Sequence, residues 1–164
     1  MKTFKDILIK LKACESGRDW VGDKTVEEFV KDCQRGDWML WLAKKLDVGI
    51  KPLTLTKGYC AKTVEHLMKD ERSKKAVQAA IDFGKGKITK EELDAAAYAA
   101  AYAADTAADA ADTADSADDA AYAAYAAADT AADDARTKNR LLTADICRKY
   151  IGQILIDKVN ILLR

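Results

Sequence analysis

From Asp94 to Ala135 the chain is written almost entirely in Ala, Asp, Tyr and Thr, without a single Lys, Arg, Gly or Pro. Alanine has the highest intrinsic helix propensity, and nothing in the stretch breaks a helix. The middle of the protein is therefore committed to helix. It is also committed to one sign of charge, because the tract holds ten Asp and no basic residue. The whole chain is formally neutral, so the remaining residues carry ten net positive charges.

The other segments read as helices as well. At 164 residues the chain suits one domain with its own core. A single Pro, Pro52, and glycines confined to segments outside the tract favour a few long helices over many strands. Apolar periodicity places a first helix from Thr3 or Phe4 to about Cys14, ended by Gly17. Thr25 and Glu28 have capping-box spacing and open a second. Asp37 caps a third, whose Trp38, Met39, Trp41, Leu42 and Leu46 put it at the centre of the fold. Pro52 closes a loop, a fourth helix runs from Thr54 or Thr56 to Met68, and a fifth from Glu71 to Phe83. After the Gly84-Lys85-Gly86 turn, Thr89 and Glu92 form another capping box. The last helix is expected from Leu141 to about Leu162, with a kink at Gly152. The basic cluster from Arg136 to Arg140 would face the C-terminal dipole of the tract helix.

An unbroken helix from Thr89 to Arg136 would be about 70 Å long at 1.5 Å per residue. A domain of this size is only roughly 30–40 Å across. The preferred arrangement is therefore a hairpin turning near Asp115–Asp119, with Tyr98 facing Asp133 and Tyr102 facing Asp129. The alternative is one long helix pairing with its counterpart in an antiparallel homodimer. Either way the chain reads as all-α, a single-domain multi-helical bundle. Residues 1–87 form a mixed-helix part, 88–136 the Ala/Asp-rich tract and 137–164 the C-terminal helix.

Catalytic and metal signatures are weak throughout. His66 is the only histidine and no nucleophile-elbow pattern accompanies it, so it reads as structural or surface. Cys14, Cys33, Cys60 and Cys147 are scattered, contain no C-x-x-C pair, and read as small hydrophobes rather than disulfides or zinc ligands. Gly84-Lys85-Gly86-Lys87 is too short to cradle a phosphate chain and reads as an exposed turn. Asp105, Asp109 and Asp112 share a helix face, but carboxylate metal sites on helices usually add Glu and His, which the tract lacks. The Thr spacing of the tract is wrong for an ice-binding face. No cofactor is called for, no window suits a membrane span, and the absence of a secretory leader pattern points to the cytoplasm.

Two readings remain. In the first, Asp105, Asp109, Asp112, Asp115, Asp118 and Asp119 make an acidic face that steers a protein partner with a basic surface. In the second, Arg35, Trp38, His66, Arg148, Lys149 and Tyr150 line a cationic and aromatic pocket for a nucleotide-like signal.

One resemblance bears on this choice. The order Cys14 to Trp20, Cys33-Gln34-Arg35-Gly36-Asp37-Trp38-Met39-Leu40-Trp41, His66-Leu67-Met68, the Ala-rich tract and Ala144-Asp145-Ile146-Cys147-Arg148 resembles the small Ala-rich, immunity-protein-like domains of bacterial polymorphic-toxin systems, also common in phage genomes. The Gly-Asp-Trp-x-x-Trp and Asp-Ile-Cys-Arg blocks are its most specific parts. The resemblance implies a non-enzymatic protein that neutralises a toxin or defence effector by direct contact. It assigns no catalytic residue. A phage-borne member would instead block a defence protein or sequester a signal nucleotide.

Overall fold

The computed structural model describes residues 2–68, 70–112 and 118–164, with side chains omitted at 103–134 and 136. The described chain is all-helical. Its order is α1 (Phe4–Lys10), α2 (Glu15–Val21), α3 (Val26–Asp32), α4 (Gly36–Lys45), α5 (Ile50–Lys62), a 3-10 turn (Glu65–Leu67), α6 (Glu71–Gly84), α7 (Lys90–Asp112) and α8 (Asp118–Leu163).

Local chemistry accounts for most of the starts. Thr25 and Glu28 form the expected capping box, with Glu28 N–H 3.2 Å from Thr25 Oγ1 and Thr25 N–H 2.8 Å from Glu28 Oε2. Thr89 and Glu92 repeat it at α7, and Thr3 with Asp6 make a third box at α1. In each, two backbone donors that a helix leaves unpaired find side-chain oxygen. Asp70 caps α6 by accepting from the Arg72 N–H at 2.7 Å.

Four boundaries differ from the sequence reading. The first helix stops at Lys10, because Lys12 turns into the left-handed region at φ 59°. The supposed loop that follows is α2, which passes through Gly17 and ends at Gly22, where φ is 52°. Pro52 does not close a loop. It lies in the first turn of α5, where its missing N–H leaves no bond unmade. That helix also ends early, at Lys62, and Leu67, in the 3-10 turn beyond it, is exposed. The Thr63 hydroxyl donates to the Cys60 carbonyl at 2.7 Å and so competes for the backbone at that end.

The largest correction concerns the C-terminal third. The last helix does not begin at Leu141. The 46-residue α8 runs from the acidic tract through Arg136–Arg140 and on to Leu163. No Gly or Pro precedes Gly152 in it, and Arg, Lys and Leu are good helix formers, so nothing ends it at the basic cluster. Nor does Gly152 interrupt it. Gly152 is buried where a Cβ would stand 3.0 Å from the Val30 side chain, so its smallness lets α3 approach.

The C-terminal half of α8 is the axis of the core. Ala144, Cys147, Ile151, Leu155 and Val159 recur at three- and four-residue steps and are fully buried. α3, α4 and α5 pack around this stripe, and α1 touches it as well. Met39, Leu42 and Ala43 of α4 meet it from one side, with Phe29, Val30 and Cys33 beside them. Each large buried side chain contributes about 1.5–3 kcal/mol relative to exposure. α6 then packs on α5, and α7 on α6. Val77, Ile81 and Phe83 are the buried residues of α6, while the first turns of α7 half-bury Leu93, Ala96, Ala99 and Ala100.

The expected turn near Asp115–Asp119 falls largely on residues 113–117, outside the described residues. The proposed partners of Tyr98 and Tyr102 are likewise among side chains outside the described set. Tyr98 itself is 78% exposed.

Candidate functional site

The six Asp of the acidic reading do not share one element. Asp105, Asp109 and Asp112 belong to α7, Asp118 and Asp119 open α8, and Asp115 lies outside the described residues. Positions three and four apart on α7 share a face by helix geometry. The side chains of all six are outside the described set.

The six residues of the pocket reading separate into different places. Arg35 and Trp38 do come together. The Arg35 guanidinium lies 4.8 Å from the Trp38 ring centroid, and its Nε donates to Asp37 Oδ1 at 2.8 Å. Asp37 therefore does not cap α4 as expected. Arg35 stands at the N-cap and Gly36 at the first helical position. The guanidinium beside Asp37 holds that carboxyl below the usual range, and the carboxylate raises Arg35 in return. Arg35 and Trp38, together with Trp20, Asp32, Arg140 and Leu141, line a pocket of about 350 Å³.

Arg148 serves another purpose. Its Nη1 donates to the Cys33 carbonyl at 2.7 Å and to that of Val30 at 3.5 Å, closing the C-terminus of α3. Its Nη2 pairs with Asp145 at 2.7 Å. Lys149 and Tyr150 lie instead with Tyr59 of α5, whose ring stacks on Tyr150 with centroids 4.8 Å apart. His66 is exposed on the 3-10 turn and lines neither Arg35's pocket nor the cleft described next. No single pocket collects the six.

Trp20 is half-buried on α2, with its ring 6.1 Å from Phe29 and 6.0 Å from Trp38. Trp38 divides the Arg35 pocket from a second, mainly apolar cleft of about 460 Å³. That cleft is lined by Leu8, Val21, Phe29, Trp38, Trp41 and Cys14, among others. The exposed Cys14 thiol sits at its edge. The Ser16 hydroxyl, 3.5 Å away, and the Gly17 N–H pull that thiol below its ordinary value. Sequence reasoning missed this cleft, because its walls come from four helices and one of them, α2, was taken for a loop.

The two motif blocks behind the resemblance meet face to face. A Cβ on Gly36 would stand 2.7 Å from the Thr143 carbonyl carbon, and the buried Cys147 thiol donates to the Gly36 carbonyl at 3.5 Å. The glycine is the close-approach point of α4 on α8. Cys33, Cys60 and Cys147 gather around it as free thiols. Burial raises Cys33, whereas the neighbouring Cys60 and then burial raise Cys147. Among the described residues, no group of three or more His, Cys, Asp or Glu could hold a metal ion. Comparisons with protein-family models, curated proteins and solved structures return no match for this chain.

Proposed function

We propose that this protein is a non-enzymatic binding protein of immunity type that neutralises a protein partner with a basic surface by direct contact. The observation that carries this reading is the continuity of α8, which joins the acidic tract to the centre of the core in one helix. Like charges on such a mount keep their spacing and attract a cationic surface without first ordering a loop. The partner would be a toxin or defence effector in the same cytoplasm. Among the described residues, no helix is long and apolar enough to cross a membrane.

The test is affinity capture from the native host, followed by charge reversal in the tract. Changing Asp118 and Asp119, the two carboxylates of that face on α8, to Lys weakens the captured complex at least about tenfold and flattens its salt dependence. Unchanged affinity and salt dependence would remove the acidic face from the proposal.

A second reading is supported by the Arg35 pocket, where two indoles and two guanidinium-bearing residues surround a space of about 350 Å³. Planar, anionic ligands suit such a lining. Thermal shift with cyclic nucleotides and ADP-ribose tests it. A rise of several degrees at micromolar ligand, lost in Trp38→Ala, supports a nucleotide sponge. No shift with any of them leaves protein contact as the function.

A further inference from the structure

The apolar cleft beside Trp38 reaches from the surface into the core. Leu8, Val21, Phe29 and Leu42 are each at most 4% exposed and form its inner wall. Trp38 and Trp41, one turn apart on α4, present half-buried indoles to the same space. Protein interiors are otherwise packed with few voids larger than a water molecule. A space of about 460 Å³ walled by three aromatic rings leaves those rings without contacts on one side, and a ligand of matching shape would restore them. Small-molecule sites typically measure about 300–1,000 Å³ and combine such walls with a few polar groups.

Two charged residues, Lys12 and Asp37, also line the cleft. They differ in what they already hold. Arg35 donates to both carboxylate oxygens of Asp37, so that charge is matched within the protein. The Lys12 ammonium makes no ion pair, side-chain hydrogen bond or ring contact among the described residues. Its backbone is unusual too. After α1 the Ala13 N–H donates to the Leu8 carbonyl at 2.9 Å and the Lys12 N–H to the Ile9 carbonyl at 3.0 Å, a Schellman turn with Lys12 at its left-handed position. Glycine is the usual residue there, because it adopts a φ of 59° without steric cost. Lysine brings nothing to the turn itself. It sets a cation at the edge of an apolar cleft.

We propose that this cleft binds a small aromatic carboxylate, its ring against Phe29, Trp38 and Trp41 and its carboxylate on Lys12. A single ammonium matches one negative charge, whereas a phosphate monoester carries nearly two and calls for further donors. A flat ring can stack on the three aromatic walls or meet them edge-on. The exposed Cys14 thiol lines the same cleft, so an occupant covers it. The site lies across Trp38 from the Arg35 pocket and goes beyond the function proposed above, since it requires neither the acidic tract nor a nucleotide.

Phenylpropionate and the uncharged phenylpropanamide are the probes, each titrated into the full chain and followed by tryptophan fluorescence. Saturable binding of the carboxylate at about 0.1–1 mM is expected, with the amide about three- to fivefold weaker. Alkylation of Cys14 by iodoacetamide slows in proportion to the occupied fraction. Lys12→Gly relieves the left-handed lysine, so it melts no lower than the unaltered protein, yet it binds carboxylate and amide equally. Absence of saturation by either probe, Cys14 alkylation that is unprotected at saturation, or a preference for the carboxylate that survives in Lys12→Gly overturns the site. Octanoate binding more tightly than phenylpropionate overturns the aromatic assignment in favour of an acyl chain. Cys14 alkylation that slows with rising protein concentration alone overturns it in favour of a second copy of this chain.

Discussion

Gly36 and Thr143 bring α4 and α8 into close approach: a side chain of even one carbon on Gly36 would stand 2.7 Å from the Thr143 carbonyl carbon and 2.8 Å from its oxygen. The obstacle is helix backbone, which cannot rotate away as a flexible side chain can. Gly36→Ala is therefore expected to push α4 off the core axis and lower stability by about 1–3 kcal/mol. Chemical denaturation checks this, with Gly17→Ala as the comparison. At Gly17 the nearest obstacle is the mobile Cys14 thiol at 3.3 Å, and the loss is smaller.

Arg148 closes α3 from a different helix. Its side chain is about one quarter exposed and meets two carbonyls that α3 cannot satisfy itself. Arg148→Met keeps much of the aliphatic packing and removes the donors. A loss of about 1–2 kcal/mol is expected, with faster amide exchange in the last turn of α3. Equal stability and exchange would show that water replaces the guanidinium at no cost.

Asp70 supplies the clearest pH dependence. Hydrogen bonds from the Arg72 side chain, and then from its backbone N–H, lower the Asp70 pKa to about 2. An unfolded Asp titrates near 3.9, so its stabilising contribution is complete above about pH 5 and lost as pH falls through 2. Asp70→Asn keeps a capping side chain but cannot titrate. The difference in melting temperature between the two proteins should be constant from pH 5 to 7 and vanish near pH 2. Asp6 and Asp37 are lowered as well, by Thr3 and Arg35 respectively, so the remaining acid transition persists in the variant.

Cys14 should separate by reactivity from Cys33 and Cys147. Cys14 is exposed and held below its ordinary pKa, while Cys33 and Cys147 are buried and raised. Thiolate is the reactive form, so brief iodoacetamide treatment at neutral pH is expected to label Cys14 first. Peptide mapping should find Cys33 and Cys147 unlabelled until denaturant is added. Cys14→Ser removes the fast phase.

Helix class, capping boxes and much of the core face were legible because they depend on residues three or four apart. Thr25 with Glu28 and Thr89 with Glu92 needed no distant partner to be recognised. Positions where two rules competed were misread. Pro52 signals a loop in general and a helix start when it falls in the first turn, and only the position of Gly49 before Ile50 decides between them. Gly17 signals a break, yet α2 runs through it.

The candidate sites were less legible, since they depend on which helices touch. Arg35 and Trp38 are close in sequence and their pairing could be anticipated. Arg148, two residues before Tyr150, was grouped with it, although on a helix such neighbours point different ways. One turns toward Cys33 of α3 and the other toward Tyr59 of α5. Tyr59 carried no motif and gains meaning only from that stacking.

Because α8 is one helix from Asp118 to Leu163, the acidic segment and the core share a rotational phase. Inserting one residue between them would swing every upstream carboxylate by about 100° around the axis, at 3.6 residues per turn. Inserting seven would return them to within about 20° of their original bearing. The length of that segment thus acts as an angular setting, fixing which side of the body the negative charge confronts.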